Sequence, residues 1–121
     1  MNTPSSYWDD AYAELDWLPG GALNAAHEAI DRHAMGPRKD RFALVWQGVG
    51  GEREEYTFAQ MKALSDGFAN VLKSLGVEVG NCVLTYMDRV PEQYVSLLGA
   101  LKIGAIAGAL LPTLGPDPVK E

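Results

Sequence analysis

Two apolar runs on either side of one apolar helix most strongly constrain the fold of this chain. Residues 81–87 (NCVLTYM) and 105–111 (AIAGALL) have the length of strands and contain no charged residue. The segment between them begins at Pro91 and ends at Gly104, as a helix would. Continuous apolar strands are typical of parallel strands that are covered on both faces. Because parallel neighbours need a crossover connection, the pattern predicts a right-handed βαβ unit.

A β-hairpin is predicted upstream of this unit. Residues 42–46 (FALVW) have the character of a strand, residues 48–51 (GVGG) turn the chain, and residues 53–57 (REEYT) return as the second strand. Further upstream, Asn24 is expected to cap a short helix over residues 25–34. The predicted fold class is therefore α/β, a partial open sheet with a βαβ crossover and an N-terminal β-hairpin.

The helix after the hairpin has the clearest boundaries. Thr57 and Gln60 form a capping box at its start, and Gly76 is expected to end it. Gly67 inside the helix predicts a point of close packing. The apolar spacing predicts one continuous buried stripe, made of Phe58, Met61, Leu64, Phe68, Val71, Leu72 and Leu75.

The chain divides into two parts by composition. Residues 1–21 are predicted to be an N-terminal extension, which is acidic and aromatic and ends in a Pro-Gly-Gly turn, and residues 22–121 form the α/β segment. We expect the extension to pack its aromatic side chains on the main body, and an aromatic ligand-binding cluster is the alternative. No basic residue precedes Arg32, which fits neither a secretory signal nor a transit peptide, so a cytoplasmic location is expected.

Charge excludes two classes of partner. Ten Lys and Arg against sixteen Asp and Glu leave a formal net charge of -6. Nucleic acids and anionic membrane surfaces both attract clustered positive charge, so neither is expected as a partner. Lys102 also interrupts the most apolar stretch, which argues against a membrane-spanning helix.

The residues that could carry chemistry form no recognisable active site. Cys82 is the single cysteine, which excludes an intrachain disulfide, and its apolar strand predicts a core position. His27 and His33 are six residues apart on one helix and cannot chelate one metal together. Residues 48–51 lack the full dinucleotide-binding spacing, and no phosphate loop of the G-x-x-x-x-G-K-[ST] type is present. We therefore predict no catalytic residue and no metal site.

Residues 87–89 (Met-Asp-Arg) lie where a ligand could reach them, and Asp88 is the candidate contact among them. It follows the strand over residues 81–87, and open α/β sheets bind ligands at the carboxyl ends of their strands. It also precedes a helix, where Asp is a preferred N-cap. Both interpretations, cap and ligand contact, remain open at this point.

Several segments, read in order, resemble AMP-forming acetate–CoA ligases and related acyl-CoA synthetases of the adenylate-forming superfamily. The similar segments cover most of residues 23–121 and read LNAAHEAIDRHA (23–34), ALVW (43–46), EYTFAQM (55–61), ANVLKSLGVEVGNCV (69–83), MDRVPEQY (87–94), LGALKIGAIAGALL (98–111) and GPDPVKE (115–121). The resemblance implies the N-terminal portion of the large domain of such an enzyme. It also implies the reaction of the whole enzyme, in which ATP, a carboxylate and coenzyme A give acyl-CoA, AMP and pyrophosphate.

The same resemblance implies which parts are present. The family's Gly-, Ser- and Thr-rich phosphate loop has no counterpart here, so ATP, Mg²⁺ and coenzyme A are expected to bind the full-length enzyme and not this chain tightly. By analogy, Leu111, Pro112 and Thr113 lie near the coenzyme A channel. We expect the chain alone to be inactive, with the rest of the synthetase as its partner and self-association through an exposed sheet edge. The alternative is a stand-alone binding or interaction module derived from such an enzyme.

Overall fold

The computed structural model of the chain describes residues 6–113 and 115. The first five residues of the predicted extension and most of the similar segment 115–121 lie outside the described residues. Within them, the helices are α1 (Tyr7–Glu14), α2 (a π-helical turn His27–Asp31 that continues as the α-helical turn Arg32–Ala34), α3 (Phe58–Ser74) and α4 (Pro91–Lys102). The strands are β1 (Phe42–Gln47), β2 (Arg53–Thr57), β3 (Cys82–Tyr86) and β4 (Ile106–Leu110).

The strands form two separate pairs. β1 and β2 are an antiparallel hairpin with Val45 opposite Glu55, and β3 and β4 are parallel with Leu84 opposite Gly108. Helix α4 connects β3 to β4, so the predicted βαβ unit and hairpin are both confirmed. Among the described residues no strand hydrogen-bonds to both pairs.

The predicted caps form as expected. The Thr57 hydroxyl accepts a hydrogen bond from the Gln60 amide at 3.2 Å, and the Gln60 side chain accepts one from the Thr57 amide at 2.8 Å. Asn24 Oδ1 accepts from the amides of Ala26 and His27 at the start of α2. Gly76 has a φ of 81°, the left-handed conformation that ends α3. The bonds at Thr57 and Asn24 satisfy N–H groups that the start of a helix would otherwise leave unpaired.

Small residues bring α3 and α4 into close contact. Buried positions on the facing sides are Ser65 and Ala69 on α3 and Ser96, Gly99 and Ala100 on α4. The Ser65 hydroxyl donates to the Met61 carbonyl at 2.7 Å and the Ser96 hydroxyl to the Gln93 carbonyl at 3.0 Å. Because each hydroxyl is satisfied by its own helix, burying it carries little penalty.

Close packing occurs at Gly99 and not at Gly67, where the sequence predicted it. A Cβ atom at Gly99 would lie 2.9 Å from both the Ser65 carbonyl oxygen and the Phe68 ring, whereas one at Gly67 would meet no heavy atom within 4 Å. The prediction for Gly67 was wrong because α3 turns that position to solvent. It is Gly99 on α4 that lets the two helices approach closely, because it has no side chain.

A cluster of ion pairs locks α2, α3 and α4 together. Lys102 Nζ lies 2.7 Å from Asp31 Oδ1 and 2.5 Å from Asp66 Oδ1, and its side chain is 9% exposed. The second Asp66 oxygen lies 2.5 Å from Lys62 Nζ. Burial alone would raise the pKa of Asp66, but the hydrogen bonds from Lys102 and Lys62 outweigh it and hold that pKa below its ordinary value. Asn24 Nδ2 adds a bond to the Leu101 carbonyl at 2.8 Å.

Only part of the predicted apolar stripe on α3 is covered. Met61 and Leu72 are buried, and Phe58 and Phe68 are half-buried, whereas Leu64, Val71 and Leu75 are exposed. The exposed row is rotated by about 40–80° around the helix from Met61. No described element packs there, because α4 covers the row that contains Ser65 and Ala69.

The parallel sheet is likewise covered on one face, although both faces were predicted to be. Val83 and Thr85 point to the core, whereas the alternate side chains of β3, including Leu84 (59%) and Tyr86 (54%), are exposed. Ile106 on β4, opposite Cys82, is also exposed. Cys82 lies on this open face, so its predicted core position was wrong. We call this exposed side of β3 and β4 the open sheet face.

The aromatic residues of the extension do not pack on the main body. Tyr7, Trp8, Tyr12 and Trp17 are 94%, 75%, 56% and 44% exposed. The prediction was wrong because the extension contacts the body through polar groups of Glu14 and Asp16. None of the helices within residues 6–113 and 115 is long and apolar enough to cross a membrane.

A matched pair of glycine substitutions tests the helix contact. Gly99→Ala is expected to lower the free energy of unfolding by about 1–3 kcal/mol, because its Cβ overlaps backbone atoms of α3. Gly67→Ala is expected to raise it by about 0.5–1 kcal/mol, because alanine stabilises an open helical position. Urea unfolding followed by circular dichroism measures both. Two substitutions with effects of the same sign would contradict close packing of α4 on α3 at Gly99.

Candidate functional site

A cleft of about 730 Å³ lies at the carboxyl ends of β3 and β4. Residues 87–89 follow β3, residues 111–113 follow β4, and the tip of the β1–β2 hairpin forms the opposite wall. The lining side chains are mostly apolar, with a few polar groups at the ends of the strands. They belong to Trp46, Gln47, Val49, Met87, Asp88, Arg89, Val90, Gln93, Ala109, Leu110, Leu111, Pro112 and Thr113, and Gly48 contributes backbone.

Hydrogen bonds fix the walls of the cleft to one another. Trp46 Nε1 donates to the Arg89 carbonyl at 2.7 Å and joins the hairpin to the segment after β3. The Tyr86 hydroxyl donates to the Pro112 carbonyl at 3.0 Å and joins the end of β3 to the segment after β4. The cleft is therefore held open by contacts between elements that are distant in sequence.

A chain of polar groups supports the floor of the cleft. Gln93 Nε2 donates to Thr85 Oγ1 at 2.8 Å, and the Thr85 hydroxyl donates to the Gly108 carbonyl at 3.3 Å. Gln93 Oε1 is buried and accepts no hydrogen bond from the described residues. This arrangement links the first turn of α4 to both parallel strands and orients Gln93 at the edge of the cleft.

The charged residues of the cleft balance one another. Asp88 and Arg89 both line it and are both exposed. The N-cap of α4 is Val90, and no side chain caps this helix, so the interpretation of Asp88 as an N-cap was wrong. A largely apolar cleft with one acid and one guanidinium can bind an extended organic molecule. Among the described residues that line it, none pairs a nucleophile with a base.

The three consecutive residues that the family resemblance places near a coenzyme A channel all belong to this cleft. Leu111, Pro112 and Thr113 all line the cleft and are exposed. Cys82 begins β3 and therefore lies at the opposite end of that strand from the cleft. Within residues 6–113 and 115, no three His, Cys, Asp or Glu side chains are grouped as metal ligands.

The two histidines have separate surroundings. His27 Nε2 lies 2.7 Å from Asp16 Oδ2, and this hydrogen bond lowers the pKa of Asp16. The His33 ring lies against Phe58 with centroids 5.1 Å apart. A second depression of about 650 Å³ separates α1 from α2, and it is lined by Ala13, Glu14, Arg32, His33, Pro37 and Arg38.

Sequence reasoning missed two residues of the cleft. Trp46 ends an apolar strand beside a glycine turn, a position that gave no indication of its bond to Arg89 across the cleft. Gln93 lies on a helix whose other residues are mainly apolar, and this isolated amide was the available signal. Both roles depend on contacts over long sequence separations.

Comparison with known proteins gives a consistent group of relatives. Residues 30–121 match the model of the family described as AMP-binding enzyme. The chain is 45% identical to the acetyl-coenzyme A synthetase of Bacillus subtilis (strain 168), over 94% of this chain and 22% of that protein. It is 37% identical to the 3-hydroxypropionyl-coenzyme A synthetase of Metallosphaera sedula, over 94% of this chain and 18% of that protein.

Solved structures agree with the sequence comparison. The acyl-CoA synthetase of Brucella canis superposes with a TM-score of 0.80 at 30% identity, covering 93% of this chain and 22% of that one. The acetoacetyl-CoA synthetase of Streptomyces lividans superposes with a TM-score of 0.77 at 32% identity, covering 86% of this chain and 16% of that one. The chain thus spans about a fifth of the length of these relatives.

Replacing Trp46 tests the bond across the cleft. Trp46→Phe is expected to lower the free energy of unfolding by about 0.5–1.5 kcal/mol, because it leaves the Arg89 carbonyl without its indole donor. Amide hydrogen exchange should also become faster in residues 87–90 while α3 is unchanged. Trp17→Phe, which removes an exposed indole bond to the Tyr12 carbonyl, is the control. Unchanged exchange in residues 87–90 would show that the bond does not hold this wall.

Proposed function

Because the chain belongs to the AMP-binding enzyme family, we propose that it forms the N-terminal segment of an AMP-forming acyl-CoA synthetase. In the whole enzyme a carboxylate and ATP would give an acyl-adenylate and pyrophosphate, and the thiol of coenzyme A would then displace AMP. The observation that carries this proposal is the family match over residues 30–121. Residues 1–21 would be an extension and residues 22–121 the start of the large domain, in a cytoplasmic protein.

The cleft at the ends of β3 and β4 is the part of this chain that we assign to coenzyme A. Leu111, Pro112 and Thr113 would form one wall of the channel that admits the thiol arm. Support comes from the apolar lining and from the position at the carboxyl ends of parallel strands, where open α/β sheets bind ligands. Gln93 Oε1, which is buried and accepts no hydrogen bond from the described residues, is the kind of polar group that such channels use to orient a ligand.

The chain by itself is proposed to be inactive. Phosphoryl and adenylyl transfer require positive charge at the reacting phosphates, and the cleft offers one guanidinium beside one carboxylate. The chain also contains no phosphate-binding loop sequence. ATP, Mg²⁺ and coenzyme A would bind once the rest of a synthetase is present.

Exchanging segments between relatives tests the assignment of the chain to a synthetase and the assignment of the cleft to coenzyme A. Residues 1–121 would replace the matching segment of the Bacillus subtilis acetyl-coenzyme A synthetase, to which they are 45% identical. The hybrid is expected to catalyse acetate-dependent ATP–pyrophosphate exchange and acetyl-CoA formation, whereas the chain alone catalyses neither. In the hybrid, Leu111→Arg should raise the KM for coenzyme A about tenfold or more and leave pyrophosphate exchange unchanged, because it obstructs only the thiol channel.

The two measurements separate the proposals. A folded hybrid without pyrophosphate exchange would contradict the assignment of the segment to a synthetase. Normal exchange with an unchanged KM for coenzyme A in the Leu111→Arg hybrid would contradict the channel alone. Met35→Arg is the matched control, since Met35 is 67% exposed and lies outside the cleft.

We also propose that the chain self-associates through the parallel sheet. Within the described residues β3 and β4 pair only with each other, so each strand has an open edge. Neither strand carries a charged residue that would discourage pairing with another copy, and the open sheet face is apolar. If the chain is instead a stand-alone interaction module, the open sheet face and the free strand edges would be its binding surface.

Charged substitutions on the open sheet face test self-association. Leu84→Lys combined with Ile106→Lys is expected to convert a concentration-dependent oligomer into a monomer, because lysines disfavour pairing of edge strands and resist burial of the open sheet face against another copy. Sedimentation velocity over a range of concentrations measures the change, and Met35→Lys is the control. A wild-type chain that sediments only as a monomer would overturn the proposal.

A further inference from the structure

Gln93, in the first turn of α4, has one end of its amide fixed and the other unpaired within the described part of the chain. Its Nε2 donates to Thr85 Oγ1 at 2.8 Å, and the Thr85 hydroxyl donates to the Gly108 carbonyl at 3.3 Å. A hydroxyl has a single proton to donate. Because that proton is directed to Gly108, the Thr85 oxygen must accept from Gln93. This network assigns the amide nitrogen to the Thr85 side and leaves the carbonyl oxygen as the unpaired end.

The unpaired oxygen is buried, so bulk water does not reach it. Gln93 Oε1 accepts no hydrogen bond from the described residues, although Gln93 lines the cleft at the carboxyl ends of β3 and β4. Most buried polar atoms have a partner, because an unpaired one loses its hydration without compensation. An acceptor that is held in place without a donor therefore indicates a donor from outside the described residues.

The chemistry of the acceptor restricts what can bind beside it. Ionised phosphates and carboxylates carry no proton to donate, and their oxygens are repelled by a carbonyl oxygen. An ammonium group would lose its hydration in a cleft whose lining is mostly apolar. Trp46 Nε1, an N–H donor in the lining, is already used on the Arg89 carbonyl at 2.7 Å. A neutral N–H group that enters the cleft is the donor that fits.

We propose that Gln93 Oε1 accepts a hydrogen bond from an amide N–H of the thiol arm of coenzyme A. This inference rests on the proposed function, in which the cleft admits coenzyme A. The thiol arm contains two secondary amides, whereas the charged groups of the molecule are phosphates, so the acceptor selects the arm. Residues 111–113, which belong to no helix or strand, are the part of the lining that can shift to admit it. Because Thr85 holds the amide from the other side, Gln93 sets how far the thiol reaches.

Coenzyme A analogues test this contact in the hybrid of residues 1–121 with the Bacillus subtilis acetyl-coenzyme A synthetase. In each of two analogues, an ester oxygen replaces one amide N–H of the thiol arm and keeps its length. One analogue is expected to have a kcat/KM at least about tenfold below that of coenzyme A, because it presents a lone pair to the Gln93 carbonyl. Gln93→Met keeps the volume and removes the acceptor. It should lower kcat/KM for coenzyme A about tenfold and abolish discrimination against that analogue.

Pyrophosphate exchange separates this inference from the proposed function. Exchange needs no coenzyme A, so Gln93→Met should leave its rate unchanged, and its absence from the unsubstituted hybrid would contradict the proposed function instead. Gln93→Leu, a second variant without an acceptor, should behave as Gln93→Met does. Tyr94→Phe is the control, since Tyr94 is 44% exposed and lies outside the cleft, and it should discriminate as the unsubstituted hybrid does. Equal kcat/KM for coenzyme A and both analogues, or discrimination that persists without the Gln93 acceptor, would overturn the inference.

Discussion

The close contact between α3 and α4 is the constraint on which the rest of the structure depends. Helix α3 continues directly from the hairpin, and α4 connects the two parallel strands, so the two sheets are related mainly through these helices. Gly99 permits the contact because any side chain there would overlap the backbone of α3. The Lys102 ion pairs act at the same junction, where they tie α2 to both helices. A change in this contact would alter the distance between the walls of the cleft.

The open apolar surfaces follow from the same arrangement. One row of α3 packs on α4 and one face of the parallel sheet is turned to the core, whereas the other row and face carry exposed Leu64, Leu75, Leu84 and Ile106. Apolar strands of this type occur where both faces of a sheet are covered. A chain that spans about a fifth of its relatives has such faces available for further layers of structure. The open faces and the family match are therefore consistent with each other.

Local chemistry was more predictable than long-range contact at the candidate site. Leu111, Pro112 and Thr113 were named through the resemblance to acyl-CoA synthetases, and the apolar run over residues 105–111 placed them at the end of a strand, where the cleft lies. The roles of Trp46 and Gln93 could not, since their partners Arg89 and Thr85 are set by the packing of separate elements. Asp88 shows the limit of a local rule: it has the residue type of a cap, yet the helix begins after Val90.

The sequence by itself determined the order of the elements, the caps of α2 and α3, and the parallel pairing of β3 and β4. These features depend on residues near one another in the chain or on the length of a connection. Tertiary structure decided which apolar rows are covered, which glycine carries the helix contact, and which side of α1 faces solvent. Periodicity defines the width of an apolar face but does not say what packs on it. The aromatic side chains of α1 are exposed because Arg32, Glu28 and His27 bind polar groups of the extension instead. These contacts join residues that are distant in the sequence, so only the folded chain brings them together.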